Sequence, residues 1–333
     1  MKSVQNQVVM KQKALKNQSE YNIEWNNVSP AQWKVYLKRV TRLNLLQSEE
    51  YALAMAKLNK QRIKRGVIYC DGKEAGIVQI LEVGILKNAV HAVLLDRAPL
   101  WFDGFGSLKD LKGFLEIFSR QFPKRLGRKI RFIPEFEDSP QAVSAMKEYG
   151  YNSVSAEGYQ TIWLNLKPEI EILRKNLNKK WRNMLNQSER KDLEVIWSEG
   201  GANFAWLMTN YAKDKDNKGY DGASLKTVIA LSGEFSRGQN LLVGTAMLDS
   251  KPIAAILIFI HGRSSTYQIG YTSDMGRECR AHHLLLWSAL EQLKGRNIDE
   301  FDLGGVNDKS AEGVRVFKRG LGGEVVKTLG IYR

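Results

Sequence analysis

Two segments of this chain share one pattern, and that repeat limits the folds that the chain can adopt. YCDGKEAGIVQI begins at Tyr69 and MLDSKPIAAILI begins at Met247, and the two align without a gap. Each carries an Asp-Gly or Asp-Ser turn signal between apolar runs, which predicts a β-hairpin. The pair indicates an internal duplication, with chance similarity of two short hairpins as the alternative.

The elements after the two hairpins repeat as well, which makes chance a weaker explanation. Periodicity predicts a third strand, a helix and a further strand in each half. The predicted ranges are 90–95, 108–118, 129–134 and a last helix at 142–149 in the first half, and 264–272, 281–295 and 298–303 in the second. This order resembles that of GNAT-like domains, so the predicted fold class is α/β with two tandem GNAT-like domains.

The length of the chain also supports two domains. Its 333 residues exceed one typical domain, and 43% apolar content is sufficient for two cores. We therefore place a first domain at 1–160 and a second at 161–333, and allow the C-terminal residues to pack back on the first. The sequence does not distinguish between a frayed segment and a helix for the residues before about residue 20.

The charge of the chain narrows the class of partner. There are 50 Lys and Arg residues against 36 Asp and Glu, a formal net charge of +14. This excess favours a nucleic acid, a nucleotide-linked substrate or an anionic membrane surface, with a generically basic protein as the alternative. The longest aliphatic run, 253–260, is far below the ~20 residues of a transmembrane helix, and the N-terminus lacks the apolar core of a signal peptide. We expect a soluble cytoplasmic protein, with peripheral contact at the inner face of the membrane as an option.

A basic segment lies between the repeats. KPEIEILRKNLNKKWRNMLNQSERK, from Lys167 to Lys191, is predicted to be one helix with an apolar stripe that includes Trp181. Its other face is either a solvated charged surface or a surface that contacts phosphates. The residues assigned to tRNA binding on this face are Arg174, Lys179, Lys180 and Arg182.

The C-terminal region carries the most specific motif. WSALEQLKGRNIDEFDLGGV, from Trp287 to Val306, predicts a helix, a strand and a Gly-Gly break, and GVRVFKRGLGGE follows. This order resembles the C-terminal signature of the Fem family of aminoacyl-tRNA-dependent peptidyltransferases, which have two GNAT-like domains. Some members carry a long coiled-coil arm, and no segment of that length is present here. The resemblance implies transfer of an aminoacyl group from tRNA to an amine of a peptidoglycan precursor, nucleotide-linked or lipid-linked, with no cofactor besides the aminoacyl-tRNA co-substrate.

The same resemblance assigns roles to individual residues. Lys318 matches the lysine of an FK turn that contacts the tRNA end and the developing negative charge, and Phe317 matches its aromatic neighbour. Arg97-Ala98-Pro99 matches an Arg-Gly-Pro turn without its glycine, and it leads to Asp103, the counterpart of a proposed base. The remaining substrate-binding candidates are Tyr267, Gln268, Tyr271, Asp302, Arg315 and Arg319. Asp302 is expected either to orient Lys318 or to cap the Gly-Gly turn.

Other chemistries find less support. Neither half contains an intact CoA pyrophosphate loop, because Trp101 stands where glutamine or arginine belongs and Arg277 is not followed by glycines. The two cysteines form no CxxC motif, and no metal-ligand spacing, Ser-His-Asp order or Walker A loop is present. An N-acyltransferase that uses acyl-CoA or acyl carrier protein remains the alternative enzyme. A basic RNA-binding or scaffold protein is the non-enzymatic alternative.

Overall fold

A computed structural model describes residues 19–219, 222–306 and 312–333. The prediction for the first residues of the chain lies almost wholly outside these ranges. The strands of the first half are β1 (Tyr21–Trp25), β2 (Arg62–Cys70), β3 (Lys73–Ile85), β4 (Val90–Ala98), β5 (Leu100–Trp101), β6 (Arg128–Pro134) and β7 (Ser153–Ser155). Its helices are α1 (Pro30–Arg39), α2 (Glu49–Asn59), α3 (Leu108–Gln121) and α4 (Pro140–Glu148), with a 3₁₀ turn at Leu45–Gln47.

The second half has the same kinds of element. Its strands are β8 (Gln160–Asn165), β9 (Glu194–Ser198), β10 (Leu241–Leu248), β11 (Lys251–His261), β12 (Ser264–Thr272), β13 (Glu300–Gly305), β14 (Glu324–Lys327) and β15 (Ile331–Tyr332). Its helices are α5 (Ile170–Asn176), α6 (Lys179–Glu189), α7 (Gly201–Lys218), α8 (Leu225–Arg237), α9 (Asp274–Glu278), α10 (Ala281–Gly295) and α11 (Glu312–Gly320). None of the described helices is long and apolar enough to cross a membrane.

The strands form two mixed sheets. The first has the order β1-β2-β3-β4-β6-β15-β7, with β5 beside β3, and the second has the order β14-β8-β13-β12-β11-β10-β9. The last two strands therefore divide between the sheets, because β14 pairs with β8 whereas β15 returns to pair with β6 and β7. In each sheet, the strand that comes directly after the hairpin is parallel to a later strand. β4 lies parallel to β6 in the first sheet, and β12 lies parallel to β13 in the second.

The two predicted hairpins are confirmed, and they share an irregularity. The register of β2 on β3 shifts between Ile68 and Tyr69, and the register of β10 on β11 shifts between Ala246 and Met247. These positions coincide in the gapless alignment, so the same β-bulge occurs twice. The predicted fold class, two tandem GNAT-like domains by duplication, is confirmed; the exact division at residue 160 stays a proposal.

The two halves share part of their core. Ala52 and Met55 of α2 belong to one buried cluster with Leu231 and Phe235 of α8 and Phe259 of β11. The Phe235 and Phe259 rings stack with centroids 4.3 Å apart. This shared cluster holds the first sheet beside the second and positions residues of both halves around one site.

Two local predictions were wrong. The basic segment is two helices, because Leu177 is extended and the side chain of Asn178 accepts a hydrogen bond from Lys180 N, which caps a new helix. The expected FKRG turn is the last turn of α11. That short helix is stabilised by packing, since a Cβ on Gly320 would lie 2.5 Å from the Trp181 ring. No prediction was made for α7 and α8.

Candidate active site

The strands of the second sheet separate at one point. Parallel pairing of β12 with β13 covers only Ser264–Thr266 and Glu300–Asp302. Beyond these residues β12 stays on β11, while β13 continues beside β8. The equivalent parallel pair of the first sheet, β4 with β6, holds from His91 to Ala98. The second sheet therefore has an opening at the carboxyl ends of parallel strands, where ligands of open α/β sheets bind.

Lys318 lies at this opening. Its side chain extends from α11, and Nζ donates a hydrogen bond to the Gly305 carbonyl at 3.0 Å. Nζ also lies 5.5 Å from the centre of the Tyr267 ring. The residue is only 8% exposed, and this burial lowers the pKa of Lys318 to about 8, against an opposing effect of Asp302. Lys318 is thus a cation at neutral pH that can lose its proton near pH 8.

Asp302 connects the glycine break to Lys318. Its Oδ1 accepts hydrogen bonds from the Thr161 hydroxyl and from Gly304 N, the latter at 2.8 Å. Gly304 has φ +74°, in the left-handed region that favours glycine. Asp302 therefore caps the Gly-Gly break and also lies within electrostatic range of Lys318. Both alternatives considered for this residue are compatible with its position.

The first half contributes an ion pair to the same region. Arg97 Nε and Nη2 donate to both carboxylate oxygens of Glu135, at 2.6 and 2.7 Å. The Arg97 guanidinium also lies 4.7 Å from the centre of the Tyr159 ring. Burial favours a lower pKa for Arg97, but Glu135 and then Asp302 outweigh it and raise that pKa. Because the Tyr159 ring approaches the backbone of Gly305, Arg97 is joined to the region that Lys318 contacts.

A pocket of about 680 Å³ lies between α6, α10 and α11, the last of which carries Lys318. Its walls include Trp181, His283 and Phe317, with His283 centred 4.9 Å from both of the other rings. Burial lowers the pKa of His283 to about 4, so its ring is neutral at physiological pH. The lining also includes basic side chains: Lys180, Arg280 and Arg319.

Several predicted site residues lie elsewhere. Asp103 is exposed, accepts a hydrogen bond from the Thr41 hydroxyl at 3.0 Å and lines a separate pocket of about 390 Å³. Tyr271 packs on Trp206 on the face of the sheet opposite to Tyr267. The reason is the register shift between β11 and β12, which leaves Gln268 as the extra residue of a bulge. The structure therefore does not bring these side chains together.

The basic candidates also differ from one another. Arg174 donates to both oxygens of Glu189, so its charge is largely satisfied within the chain. Lys179 and Lys180 are exposed in the first turn of α6, and Arg182 donates to the Lys175 carbonyl at 3.3 Å. On α11, Arg315 lies 3.8 Å from Glu312, and Arg319 is exposed.

Sequence reasoning did not identify Glu135, Tyr159 or Thr161. The signal for Glu135 was present, because it directly follows the strand predicted at 129–134, as Arg97 comes after the strand predicted at 90–95. Charged residues at the carboxyl ends of neighbouring parallel strands are expected to meet. Tyr159 and Thr161 flank the boundary between the halves, where the sequence carries no comparable signal.

Comparison with known proteins gives the class and then a specific likeness. Residues 173–319 match the family model described as "Acetyltransferase (GNAT) domain", which supports an acyltransferase of GNAT type. The structure of FemX is similar over 93% of this chain and 96% of that chain, with a TM-score of 0.74 at 15% identity. A conserved protein of unknown function from Bacteroides thetaiotaomicron VPI-5482 covers 93% of this chain and 98% of its own, with a TM-score of 0.59 at 12% identity. No curated protein matches the sequence. The chain has the fold of FemX, which confirms the resemblance to the Fem family at the level of structure.

Proposed function

We propose that this protein transfers an aminoacyl group from aminoacyl-tRNA to an amine of a peptidoglycan precursor or a related cell-envelope acceptor. The observation that carries the proposal is the buried Lys318 ammonium at the opening between β12 and β13. An aminoacyl ester is already activated, so the enzyme needs to place an amine at its carbonyl and stabilise the oxyanion that forms. A fixed cation in a site of low dielectric supplies that stabilisation.

The reaction balances without a further reagent. The acceptor amine attacks the ester carbonyl carbon, and the carbonyl electron pair moves to oxygen beside the Lys318 ammonium. The intermediate then collapses, the amide forms and the tRNA ribose oxygen leaves with the proton that the amine releases. Asp302, held by Thr161 and Gly304, keeps negative charge near the lysine and favours its protonated form.

The pocket between α6, α10 and α11 supports a substrate that carries a nucleotide. Phe317, which is partly exposed, offers a ring surface on which a base can stack, and basic side chains on the lining suit phosphates. Lys318 extends from α11, the same helix that contributes Phe317 and Arg319 to this pocket.

The rate of transfer is expected to fall as the pH rises through about 8. Because burial lowers the pKa of Lys318 to about 8, the cation is present below this pH and is lost above it. Lys318→Arg keeps its charge, so its residual activity should lack the alkaline decline. The measurement is the single-turnover rate of amide formation against pH, corrected for uncatalysed ester hydrolysis. An identical decline in the arginine variant would exclude Lys318 as its source.

Charge reversal on α6 is expected to weaken tRNA binding. Simultaneous replacement of Lys179, Lys180 and Arg182 by glutamate should lower the affinity for tRNA by about tenfold or more at low salt. It should also make that affinity less dependent on salt concentration. Thermal stability should hold, since acidic residues in the first turn of a helix interact favourably with its dipole. The matched control reverses exposed lysines of α7, α8 and β11: Lys213, Lys226 and Lys251. Equal tRNA affinity of the two triple variants would remove α6 from the binding surface.

The proposal itself is tested with labelled substrates. The protein is incubated with a mixture of radiolabelled aminoacyl-tRNAs and with nucleotide-linked or lipid-linked peptidoglycan precursors, and label in the acceptor is measured. Transfer to an acceptor amine is the expected result. If label stays on tRNA with every acceptor while acetyl-CoA is consumed, the N-acyltransferase alternative, which the family model also fits, replaces the proposal.

A further inference from the structure

The two most exposed large apolar side chains of the described residues lie at one end of the first sheet. Leu126 is 99% exposed and Leu86 is 77% exposed, and Ile85 and Val90 beside Leu86 are each more than half exposed. Leu86 belongs to the connection from β3 to β4, and Leu126 belongs to the connection from α3 to β6. Burial within this chain therefore does not explain why these residues are apolar.

The two connections form one structure, which we call the tip (residues 85–90 and 124–128). Arg125 donates hydrogen bonds to the carbonyls of Asn88 and Ala89, the latter at 3.0 Å. His91 N donates to the Gly127 carbonyl at 2.8 Å. Gly127 has φ +78°, and a Cβ there would lie 2.2 Å from the Ala89 oxygen, so the close approach of the two loops requires glycine. The exposed apolar residues of both loops thus lie at the same end of the sheet.

The backbone of the tip is held in an unfavourable conformation. Leu86, Lys87 and Asn88 follow one another with φ of 51°, 54° and 69°. The left-handed region disfavours residues with a Cβ, especially leucine and lysine. Strain of this kind is found where a particular presentation of side chains has a function.

Cations surround the apolar residues. A pocket of about 560 Å³ adjoins the tip, and its floor includes Ile130, Val154 and Tyr332. Its basic lining residues are Lys124, Arg125, Arg128, Lys129, Arg131 and Arg333. The acidic groups nearby are already paired, Glu82 with Arg62 and His91, and Asp96 with Arg131. Asp96 thus offsets Arg131, whereas no described carboxylate forms a salt bridge with the other five basic lining residues, so a positive potential remains at this end of the molecule.

We infer that the tip docks this protein on an anionic membrane surface, with the leucines in the interfacial layer and the cations at lipid phosphates. Apolar side chains ringed by lysine and arginine are the chemistry that such a surface recognises. An RNA site would instead present aromatic rings for stacking, and the tip carries aliphatic side chains. The inference stands whether or not Lys318 transfers an aminoacyl group.

Docking in this way would fix the distance of the candidate active site from the membrane surface. Arg128 starts β6 beside the tip, and Glu135 follows the end of the same strand in the ion pair with Arg97. Seven residues at about 3.3 Å each place the ion pair roughly 23 Å from the tip along the strand. A lipid-anchored acceptor would reach the site through a headgroup of about that length.

Vesicle sedimentation tests the inference with the full chain. Phosphatidylcholine vesicles with about one-third phosphatidylglycerol are expected to bind the protein, and salt should weaken the binding. The double variant Leu86→Ser, Leu126→Ser should have a vesicle-binding constant lower by about tenfold or more. The double variant Lys87→Glu, Lys129→Glu should show a decrease of the same size. The matched controls are Ile172→Ser with Ile229→Ser, which changes two apolar residues that are about half exposed, and Lys226→Glu with Lys251→Glu.

Any of the following outcomes would contradict the inference. Absence of vesicle binding by the wild type, or equal binding by tip and control variants, would remove the membrane as the partner. Loss of tRNA binding in the Lys87→Glu, Lys129→Glu variant with vesicle binding intact would assign the cations to RNA. A dimer in sedimentation velocity that only the serine tip variant abolishes, without vesicle binding, would identify a second copy of the chain as the occupant.

Discussion

Replacement of Lys318 by alanine is expected to slow aminoacyl transfer by about 100-fold or more, which corresponds to the ~2.7 to 4 kcal/mol of one lost oxyanion donor. The ammonium is fixed by its bond to the Gly305 carbonyl and is nearly excluded from water, so its effect on a developing negative charge is weakly screened. The measurement is the single-turnover rate with enzyme in excess over tRNA. A wild-type rate would show that Lys318 is structural.

Two further variants separate charge from folding. Lys318→Arg keeps the charge in a planar fork, so partial activity would indicate that charge near the tRNA end matters most, and no activity that the position of the ammonium matters most. Lys318→Met should raise the free energy of unfolding at pH 7, because the pKa of about 8 means that the folded state disfavours the buried cation. A variant that is inactive because it is unfolded would contradict this expectation.

Arg97→Met is expected to lower the free energy of unfolding by about 3 to 5 kcal/mol, because it leaves the Glu135 carboxylate without its partner. Arg97 is 5% exposed and makes a two-point contact with Glu135 that links the ends of β4 and β6. Denaturant unfolding followed by circular dichroism gives the free energy directly.

The double variant Arg97→Met, Glu135→Met distinguishes an unpaired charge from lost packing. It should recover much of the stability, since no buried charge then lacks a partner. Arg277→Met is the matched control, because the Arg277–Asp274 pair is exposed and should contribute no more than about 1 kcal/mol. A double variant as unstable as Arg97→Met would assign the effect to the contact of Arg97 with Tyr159.

The sequence predicted local elements well wherever turns and periodicity coincide. The Asp-Gly and Asp-Ser turns marked both hairpins, and α10 ends at Gly295 as expected. The errors arose where tertiary contacts decide. The last turn of α11 depends on Trp181, more than a hundred residues away, and nine residues are too few for periodicity to indicate a helix.

The candidate site was predictable only in part. Lys318 and Asp302 were found because both lie in a motif that is continuous in sequence. Glu135 and Tyr159 meet them only because the shared core brings the end of the first sheet to the opening of the second. Asp103 was assigned by the resemblance of Arg97-Ala98-Pro99 to a turn that leads to an aspartate, and the backbone after the strand carries it into a different pocket.

The division of β14 and β15 between the two sheets has a consequence for synthesis on the ribosome. Until Ile331 and Tyr332 leave the exit tunnel, β7 has no partner strand and β6 remains an open edge, although every other strand of that sheet was translated long before. An exposed edge invites pairing with other nascent chains. The N-terminal half should therefore complete its fold only after translation of the C-terminal strands, in contrast to the usual order in which the first domain folds first.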